Sequence, residues 1–505
     1  MKIFNYISGI NYMKFLVIVL AFLSSNSAYT QMKIIDNLKY VDPQIGGVAP
    51  FLVPTRTRIH LPNSMVRMYP DRKDYKDDQI KSFPLTTRKH RSDPLFSLLP
   101  VSGNVSENSE PISAWDSELE IAHPYYYSTW LEDFNVTLEF SPGEKTGFYR
   151  FNYGNKESKK LFLKNLIGGE WQLNEDGSLV GTESFEGMKA YAYCVFDVKG
   201  DFTQVKTDKK ITNSWITWNN AELKQVNFKY GISFISIEQA KNNLEKEIPN
   251  WDFEKVKNNA IEKWSNVLDQ IEVEGGTEAY RRSFYTALYR SYERMVNISE
   301  DGKYYSNYDK QIHKGEQNFY ADDWVWDTFL ALHPLRYIVQ PDMESDMMAS
   351  YVRMYQQSGW LPQFPQIHGD VPPMNGFHST IMLLDAYNKG INKFDINVAY
   401  EAMKKNALEG TMVPWRMGAA SPLDKLALKL GYFPALHPEE KETEPLVDSF
   451  EKRQAVAVTL AQSYDDWALA QLAKKLGKEQ DYQYFSKTAK NYQNLYLERK
   501  RVFYA

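Results

Sequence analysis

The hydrophobic pattern of this chain changes character once, near residue 237, and that change limits what the chain can fold into. Before it, segments such as Phe148–Tyr153 and Tyr191–Val198 are rich in aromatic and β-branched residues and are separated by turn residues. After it, apolar residues recur at helical spacing, as along Met347–Tyr355. A chain of 505 residues is too long for one ordinary core, so the pattern predicts two domains.

The first domain is predicted to be a β-sandwich and the second to be all-α, with no strands between its helices. We place the sandwich at residues 38–240, amphipathic linker helices at 241–277 and the helical domain at 278–505. In the helical domain, Ser379 or Thr380 is expected to cap a helix that Gly390 ends. A further apolar stripe is expected to face the core, formed by Val456, Leu460, Tyr464, Trp467, Ala468 and Leu472.

The first 30 residues have the proportions of a secretory signal peptide. The apolar run Phe15–Leu23 follows Lys14, is too short to span a bilayer and precedes the small, polar region Ser24–Ala28. We therefore expect a secreted or periplasmic protein with no membrane span after signal cleavage. The single Cys194 excludes a disulfide framework, and a net charge of −5 gives no indication of a nucleic-acid partner.

Tryptophan, carboxylate and histidine recur in three segments, Tyr320–Leu335, Gly359–Pro362 and Asp370–His378. Aromatic rings stack on the apolar face of a sugar, and carboxylates accept hydrogen bonds from its hydroxyls. The segments therefore indicate a glycan partner. The alternative is that the aromatic residues are core and the acids are helix caps.

A glycosidase needs two carboxyl groups, one to protonate the leaving oxygen and one to attack or to activate water. The candidates are Asp322, Asp323, Asp327 and Asp370, and the alternative for Asp370 is an ordinary loop aspartate. Asp465 and Asp466 lie inside a predicted helix, where one of them is expected to face solvent or to cap a neighbouring element. Motifs for a serine nucleophile, a phosphate loop or a zinc site are absent from the sequence.

These residues resemble glycoside hydrolase family 92, the calcium-dependent exo-α-mannosidases. The resemblance covers most of the chain and rests on segments in the family's order: Tyr40–Gly46, Glu274–Gly276, Phe284–Tyr289, Trp326–Phe329, Leu332–Leu335, Gly359–Pro362 and Tyr464–Trp467. It implies a β-sandwich packed on an (α/α)6 barrel. It also implies inverting removal of terminal α-mannose from glycans of the N-glycan or mannan type. Ca²⁺ would bind the sugar, although its ligands are not identifiable from the sequence.

The resemblance also implies roles for individual residues. Asp370 takes the place of the family's general-acid glutamate. Because an aspartate is one methylene shorter than a glutamate, its oxygens lie about 1.5 Å further from the substrate. A displacement of that size can lower the rate about a hundredfold. The sugar pocket would be shaped by Trp326, Asp327, Trp360, Gly376 and His378.

Two further departures from the family bear on the substrate and on activity. The segment Pro54–Arg67 replaces a glycine-rich loop, and its Arg56, Arg58 and His60 would bind an anionic or differently branched sugar. The alternative is that these arginines pair with acids at the domain interface. The family's catalytic-base aspartates lie in a Gly-Asn-Asp-Asp-like motif that this sequence lacks, so we expect a truncated fragment that is inactive by itself.

We therefore expect an exported α-mannosidase-like glycoside hydrolase. One rival hypothesis is a hydrolase for an altered substrate, such as an anionic, phosphodiester-linked or non-mannose glycan. Another is a non-catalytic glycan-binding protein, which would bind without turnover.

Overall fold

The structure is a computed structural model that describes residues 36–47, 55–72, 78–88, 93–154, 158–206, 212–371 and 374–504. The predicted signal segment lies outside the described residues, as do Pro372 and Pro373. None of the described helices is both long and apolar enough to cross a membrane.

The first part of the chain forms two antiparallel sheets. An eight-stranded sheet has the order β12-β13-β14-β17-β10-β9-β8-β7, and a seven-stranded sheet runs β15-β16-β11-β5-β4-β3, with β6 paired to β4. The strands are β1 (Ile59–His60), β2 (Arg67–Met68), β3 (Asp71–Arg72), β4 (Gln79–Thr87), β5 (Pro94–Ser102), β6 (Ser113–Ala114), β7 (Ile121–His123), β8 (Tyr126–Leu131), β9 (Val136–Pro142), β10 (Thr146–Tyr153), β11 (Lys159–Lys164), β12 (Gly169–Leu173), β13 (Leu179–Phe185), β14 (Met188–Phe196), β15 (Asp201–Lys206), β16 (Thr212–Trp218) and β17 (Gln225–Ser233).

Both faces of the central strand β10 are buried, which explains its aromatic run. Tyr149 lies opposite Phe228 of β17 and faces the core between the two sheets. The neighbouring Phe148 points the other way and packs against Ala240 and Leu244 of the first linker helix. Successive side chains of a strand point to opposite faces of the sheet, so β10 contributes both to the core between the sheets and to the contact with the first linker helix.

Two linker helices follow the sandwich. They are α1 (Ile237–Glu247), capped by Ser236, and α2 (Phe253–Leu268), capped by Asp252. Glu247 fixes α1 to the sandwich because its carboxylate accepts hydrogen bonds from Glu144 N at 2.9 Å and Thr146 Oγ1 at 2.7 Å.

The remaining helices form the second domain, whose largest core is built from α6, α7, α8 and α10. Its helix α6 ends at Gly359, whose φ of 81° is the left-handed conformation that glycine adopts without strain. The helices are α3 (Glu278–Ser291), α4 (Val325–Thr328), α5 (Leu332–Val339), α6 (Pro341–Ser358), α7 (Ser379–Asn388), α8 (Ile396–Glu409), α9 (Pro422–Leu430), α10 (Ala455–Lys475) and α11 (Glu479–Thr488).

The helical domain is not free of strands, so that detail of the prediction was wrong. Short ladders pair within its connections, because two- to four-residue strands carry too little periodicity to be recognised. They are β18 (Val296–Asn297) with β21 (Tyr320–Ala321), β19 (Lys303–Ser306) with β20 (Gln311–Lys314), β22 (Pro365–Gln366) with β23 (Gly369–Asp370), and β24 (Tyr496–Leu497) with β25 (Val502–Phe503).

Two helix details also differ from prediction. Neither Ser379 nor Thr380 caps α7, because the helix begins at Ser379 and His378 occupies the position before it. In α10, Leu460, Tyr464 and Trp467 are partly exposed, whereas Val458, Leu469 and Leu472 are buried. Apolar residues surround this helix on several sides, so their spacing does not select the buried face.

Candidate active site

The Asp370 carboxyl group lies on the small hairpin formed by β22 and β23. Its Oδ1 accepts hydrogen bonds from Phe364 N at 2.7 Å and Gln363 N at 3.2 Å, and its Oδ2 also lies 3.2 Å from Gln363 N. Burial raises the pKa of Asp370 to about 6, although these amide donors act in the opposite direction. The hairpin therefore holds a carboxyl group that keeps its proton at a higher pH than an ordinary aspartate.

The segment Asp322–Trp324 adjoins this hairpin. Asp323 N donates to Pro365 O at 2.7 Å, and the Trp324 ring meets Phe364 edge-on with ring centroids 5.6 Å apart. Two of the three segments singled out from the sequence are thus brought together. The contact places the Asp-Asp-Trp motif against the residues that hold Asp370.

A buried ionic network anchors the Asp-Asp-Trp motif. Asp323 Oδ2 lies 2.9 Å from His333 Nε2, and His333 Nδ1 lies 2.9 Å from Glu344 Oε2, which belongs to the adjacent helix α6. Tyr351 donates to Asp323 Oδ2 at 2.7 Å, and Arg336 Nη1 lies 3.6 Å from Glu344 Oε1. Two carboxylates and two cations balance in charge, so the network is held together without a buried excess.

The ionisation of this network follows from its geometry. Burial alone lowers the pKa of His333, but the Glu344 and Asp323 carboxylates outweigh it and raise that pKa to about 9. Burial raises the pKa of Asp323, but His333 and the hydrogen bonds of His333, Tyr351 and Thr328 bring it well below its usual value. His333 is therefore an imidazolium paired with two carboxylates at neutral pH.

The short helix α4 carries two of the predicted sugar-binding residues, Trp326 and Asp327. Both side chains are exposed, while Thr328 is buried and donates from Oγ1 to Asp323 Oδ1 at 3.0 Å. The helix is thereby tied to the ionic network on one side and presents Trp326 and Asp327 on the other.

Trp360 follows Gly359, which ends α6, and lies three residues before Gln363, whose amide contacts Asp370. Its ring is partly buried and faces Lys405 Nζ at 4.7 Å from the centroid. The backbone of Leu361 is fixed next to it, because Leu361 exchanges hydrogen bonds with the Asn406 amide. Trp360 therefore stands on a rigid connection leading to the Asp370 hairpin.

His378 is held by Asp465 of α10. Asp465 Oδ1 lies 3.0 Å from His378 Nδ1, and Asp465 Oδ2 accepts from Phe377 N at 2.7 Å. Gly376 lies against the same imidazole, because a Cβ atom there would come within 2.9 Å of it. Burial lowers the pKa of His378, but Asp465 outweighs it, and the pKa is raised above the usual value.

The ring of Phe329, just beyond α4, packs on His378 with centroids 4.6 Å apart. The segment 323–329, which includes Trp326, thus contacts the Asp370 hairpin through Asp323 and contacts His378 through Phe329. Asp465 and Asp466 are both buried, so neither faces solvent, and Asp465 supports the residues that precede α7.

We expect Asp465→Asn to lower the pKa of His378 and to leave the fold intact. The amide keeps one oxygen acceptor but removes the negative charge that favours the imidazolium. The measurement is a titration of the His378 ring resonances by NMR. Tyr464→Phe is the control, because it removes only the hydroxyl of the preceding residue and keeps the ring that lies 6.5 Å from His378. An unchanged His378 pKa in Asp465→Asn would contradict the assigned contact.

The predicted residues of the 54–67 segment have separate environments. Arg58 is buried and forms an ion pair with Glu293 just after α3, while Arg56 lies over the Tyr69 ring at 5.4 Å. Burial, with a smaller effect of Arg67, lowers the pKa of Arg58 to about 9. The interface alternative therefore describes Arg58 well.

His60 belongs to the core between the domains. Its ring packs against Tyr289 at 4.7 Å and Trp264 at 5.4 Å, and burial lowers its pKa to about 3. A neutral, enclosed imidazole is poorly suited to binding an anion. The sequence did not single out Arg67, yet its Nη1 donates to Asp322 Oδ2 at 2.5 Å and links the sandwich to the motif.

Calcium takes six to eight oxygen ligands, commonly several carboxylates. Within the described ranges, no group of three or more His, Cys, Asp or Glu side chains is placed to hold a metal ion. These described side chains thus do not form a calcium site by themselves.

Two family models match the chain in succession. The N-terminal domain model of glycosyl hydrolase family 92 matches residues 40–233, and the catalytic domain model of that family matches residues 239–505. The chain belongs to glycosyl hydrolase family 92. Its β-rich domain followed by a helical domain is the arrangement that the family resemblance predicted.

Solved structures agree with this assignment. A family GH92 inverting mannosidase from Bacteroides thetaiotaomicron is 25% identical, with a TM-score of 0.84 over 94% of this chain and 67% of that protein. A GH92 α-mannosidase from the same organism is 23% identical, with a TM-score of 0.79 over 93% of this chain and 66% of that one.

An uncharacterized secreted glycosidase from Arthroderma benhamiae is 29% identical over 285 residues, which are 55% of this chain and 31% of that protein. The match thus spans about a third of that relative's own length.

Proposed function

We propose that the protein acts as an exo-α-mannosidase-like glycoside hydrolase of family 92, with Asp370 as its general acid. The observation that carries the proposal is the Asp370 carboxyl group, whose pKa is raised to about 6 and whose hairpin is held next to Trp324 through Phe364. A general acid must be protonated before it can assist departure of the leaving group. Family membership supports a glycan as substrate.

In this proposal, Asp370 protonates the glycosidic oxygen as the bond to the anomeric carbon breaks. The Gln363 and Phe364 amides hold Oδ1, so the carboxyl group keeps one orientation during the transfer. The same amides stabilise the carboxylate left behind. In an inverting reaction a water molecule adds at the anomeric carbon from the opposite face as this bond breaks, and its proton passes to a carboxylate that is not assigned to any described residue.

The terminal sugar would be held by the residues around α4 and α7. Trp326 offers a partly exposed ring for stacking, and Asp327 offers an acceptor for hydroxyls. When protonated, the His378 imidazole that Asp465 orients would donate from Nε2 to a sugar oxygen. Trp360 and Gly376 would complete the pocket, Gly376 because a larger residue would displace His378.

Calcium would supply polarisation of sugar hydroxyls when bound, as family 92 membership implies. Export to the periplasm or outside the cell is part of the proposal, and it is supported by the apolar run in the first 30 residues and by the secreted relative.

The test of this function is release of mannose from an α-linked mannobiose by the whole gene product, with α-linked glucobiose and galactobiose as comparison substrates. Selective mannose release is expected. Binding of mannosides without any release would favour the glycan-binding alternative. Neither binding nor release of any of the three disaccharides would contradict both the hydrolase and the glycan-binding hypothesis.

Trp326→Ala is expected to weaken mannoside binding about fivefold, because loss of aromatic stacking on a sugar costs on the order of 1 kcal/mol. Calorimetric titration with methyl α-mannoside measures it. Trp251→Ala is the matched control, because Trp251 is also partly exposed but lies between α1 and α2. Equal mannoside affinities of the Trp326→Ala and Trp251→Ala variants would show that Trp326 does not contact the sugar.

A further inference from the structure

A polar stripe runs along one face of helix α10, whose other residues are largely apolar. Thr459, Gln462, Ser463 and Asp466 are spaced three or four residues apart, so they share this face. Thr459, Ser463 and Asp466 are each at most 4% exposed. Burial of polar side chains is unfavourable unless each of them has a partner. The partners of the stripe therefore show whether it is complete without a ligand.

The two hydroxyl groups of the stripe have partners within the protein. Each donates to the backbone carbonyl one turn earlier in α10, at 2.8 Å. Thr459 Oγ1 also accepts from Phe433 N at 2.9 Å, and Ser463 Oγ accepts from Tyr492 N at 3.0 Å. These contacts satisfy the hydroxyls, so the member of the stripe that still needs a partner is the charged one, Asp466.

The Asp466 carboxyl group is buried without a cation. The Thr488 hydroxyl offers it a hydrogen bond, and the charged neighbour that acts on it is the like-charged Asp465, which itself faces His378. Within the described part of the chain, no lysine, arginine or histidine forms an ion pair with Asp466. Burial, with a smaller effect of Asp465, raises the pKa of Asp466 to about 7. Buried carboxylates in proteins are paired or bind a metal ion, so this one calls for a positive partner.

A small cavity adjoins this carboxyl group between α8, α9, α10 and α11. The space inside it that the centre of a water molecule can occupy is about 20 Å³, and a single water needs about 10–15 Å³ by this measure. The Tyr484 hydroxyl lies close to the carboxyl group, since burial and then the Asp466 charge raise the pKa of Tyr484. The cavity therefore has room for one water molecule or one small ion, but not for a sugar.

The polar groups that line this cavity carry oxygen atoms, which are the ligands that hard cations take. They are the Asp466 carboxylate, the amides of Gln462 and Asn491, and the hydroxyls of Thr488 and Tyr484. One carboxylate balances a single positive charge, whereas a calcium site commonly contains several carboxylates. The set of ligands therefore favours a monovalent cation over Ca²⁺.

We propose that Asp466, Gln462, Thr488 and Asn491 form a site for one alkali cation, Na⁺ or K⁺, at the junction of α9, α10 and α11. The cation neutralises the buried carboxylate and holds the three helices together around it. The site is separate from the candidate active site, because the preceding residue of α10 is the one that faces His378. It nevertheless fixes the helix on which the orientation of His378 depends.

The experiment is thermal unfolding of the whole gene product in NaCl, KCl, CaCl₂ and choline chloride at one ionic strength, which keeps general screening constant. Choline is too large for the cavity. Asp466→Asn removes the charge with little change of shape, and Gln462→Lys places a tethered ammonium group one helical turn from Asp466. Asp385→Asn is the control, because Asp385 is a partly exposed residue of α7 that pairs with Lys389 of its own helix.

We expect the midpoint of unfolding to be higher by about 2–4 °C in NaCl or KCl than in choline chloride, and to rise with the logarithm of the alkali concentration. Asp385→Asn should keep this difference, whereas Asp466→Asn and Gln462→Lys should lose it. Gln462→Lys in choline chloride should be as stable as the wild type in the alkali salt. The sodium NMR line should be broadened by the wild type, but not by Asp466→Asn.

Equal midpoints of the wild type in the alkali salts and in choline chloride overturn the site. A difference that survives in Asp466→Asn places the cation elsewhere and overturns the assignment of its ligands. Stabilisation by CaCl₂ alone, lost in Asp466→Asn, overturns the monovalent charge of the ion. A sodium line that the wild type and Asp466→Asn broaden equally also overturns the proposal.

Discussion

Asp370→Asn is expected to lower turnover of mannobiose by about a hundredfold to ten-thousandfold, the contribution that a positioned general acid commonly makes. The amide keeps an oxygen acceptor for the Phe364 and Gln363 amides, so the hairpin should be retained, but it has no proton to give. Activated aryl α-mannosides should lose far less, because their leaving groups need little protonation. The measurement is kcat/KM for both substrate types on the whole gene product.

The pH profile gives an independent check on the same residue. The pKa of Asp370 is raised to about 6, so the protonated form persists to a higher pH than for an ordinary aspartate. With mannobiose, kcat/KM should therefore fall as pH rises through about 6, and this limb should vanish for the aryl substrates. A variant Asp370→Asn that hydrolyses mannobiose as well as the wild type would exclude Asp370 as the acid.

The second large effect is on stability. Asp323→Asn is expected to lower the free energy of unfolding by about 3–5 kcal/mol, because it leaves the buried His333 imidazolium without one of its two carboxylates. Denaturant unfolding, followed by helical circular dichroism, measures it. Asp342→Asn is the control, because Asp342 is an exposed residue of the same helix as Glu344, paired with Lys393 at 2.5 Å. Exposed pairs contribute about 1 kcal/mol or less.

The pH dependence of that loss follows from the two shifted groups. His333 has a folded pKa of about 9 against an ordinary 6.5, so its stabilisation is complete below 6.5 and is lost as pH rises towards 9. Asp323 has a folded pKa below its ordinary 3.8, so its stabilisation is present above 3.8 and is lost as pH falls below it. Asp323→Asn should therefore lower the free energy of unfolding most between about pH 3.8 and pH 6.5, where both groups contribute fully. A loss no larger than that of Asp342→Asn would contradict the network.

The sequence was sufficient for the order of the domains because long segments carry strong periodicity. The aromatic strands β10 and β14 and the helix α6 were recognisable in this way, and family membership confirms the arrangement. The hairpin that carries Asp370 was not predicted, since its strands are two residues long and are held by contacts with the distant Asp323.

The partners of the candidate site residues depend on tertiary contacts that spacing alone does not encode. Asp465 lies 87 residues from His378, and Arg67 lies 255 residues from Asp322. Two adjacent acids inside an apolar helix were a usable signal, since buried carboxylates are rarely left without partners. For Arg58, the sequence could not decide between binding a sugar and pairing with an acid at the domain interface. The ion pair with Glu293 shows the interface contact. The roles of Trp326, Asp327, Trp360, Gly376, His378 and Asp370 remain predictions.

The most direct test of the account is the anomeric form of the mannose released from the methyl glycoside of an α-linked mannobiose, whose leaving sugar has no free anomeric centre. The whole gene product is incubated with the substrate in an NMR tube, and the anomeric proton signals of free mannose are followed before mutarotation brings them to equilibrium. An inverting enzyme with Asp370 as its acid predicts that β-mannose appears first and that Asp370→Asn suppresses the signal. If α-mannose appears first, or if mannose release is the same without the Asp370 carboxyl group, the proposed mechanism is contradicted.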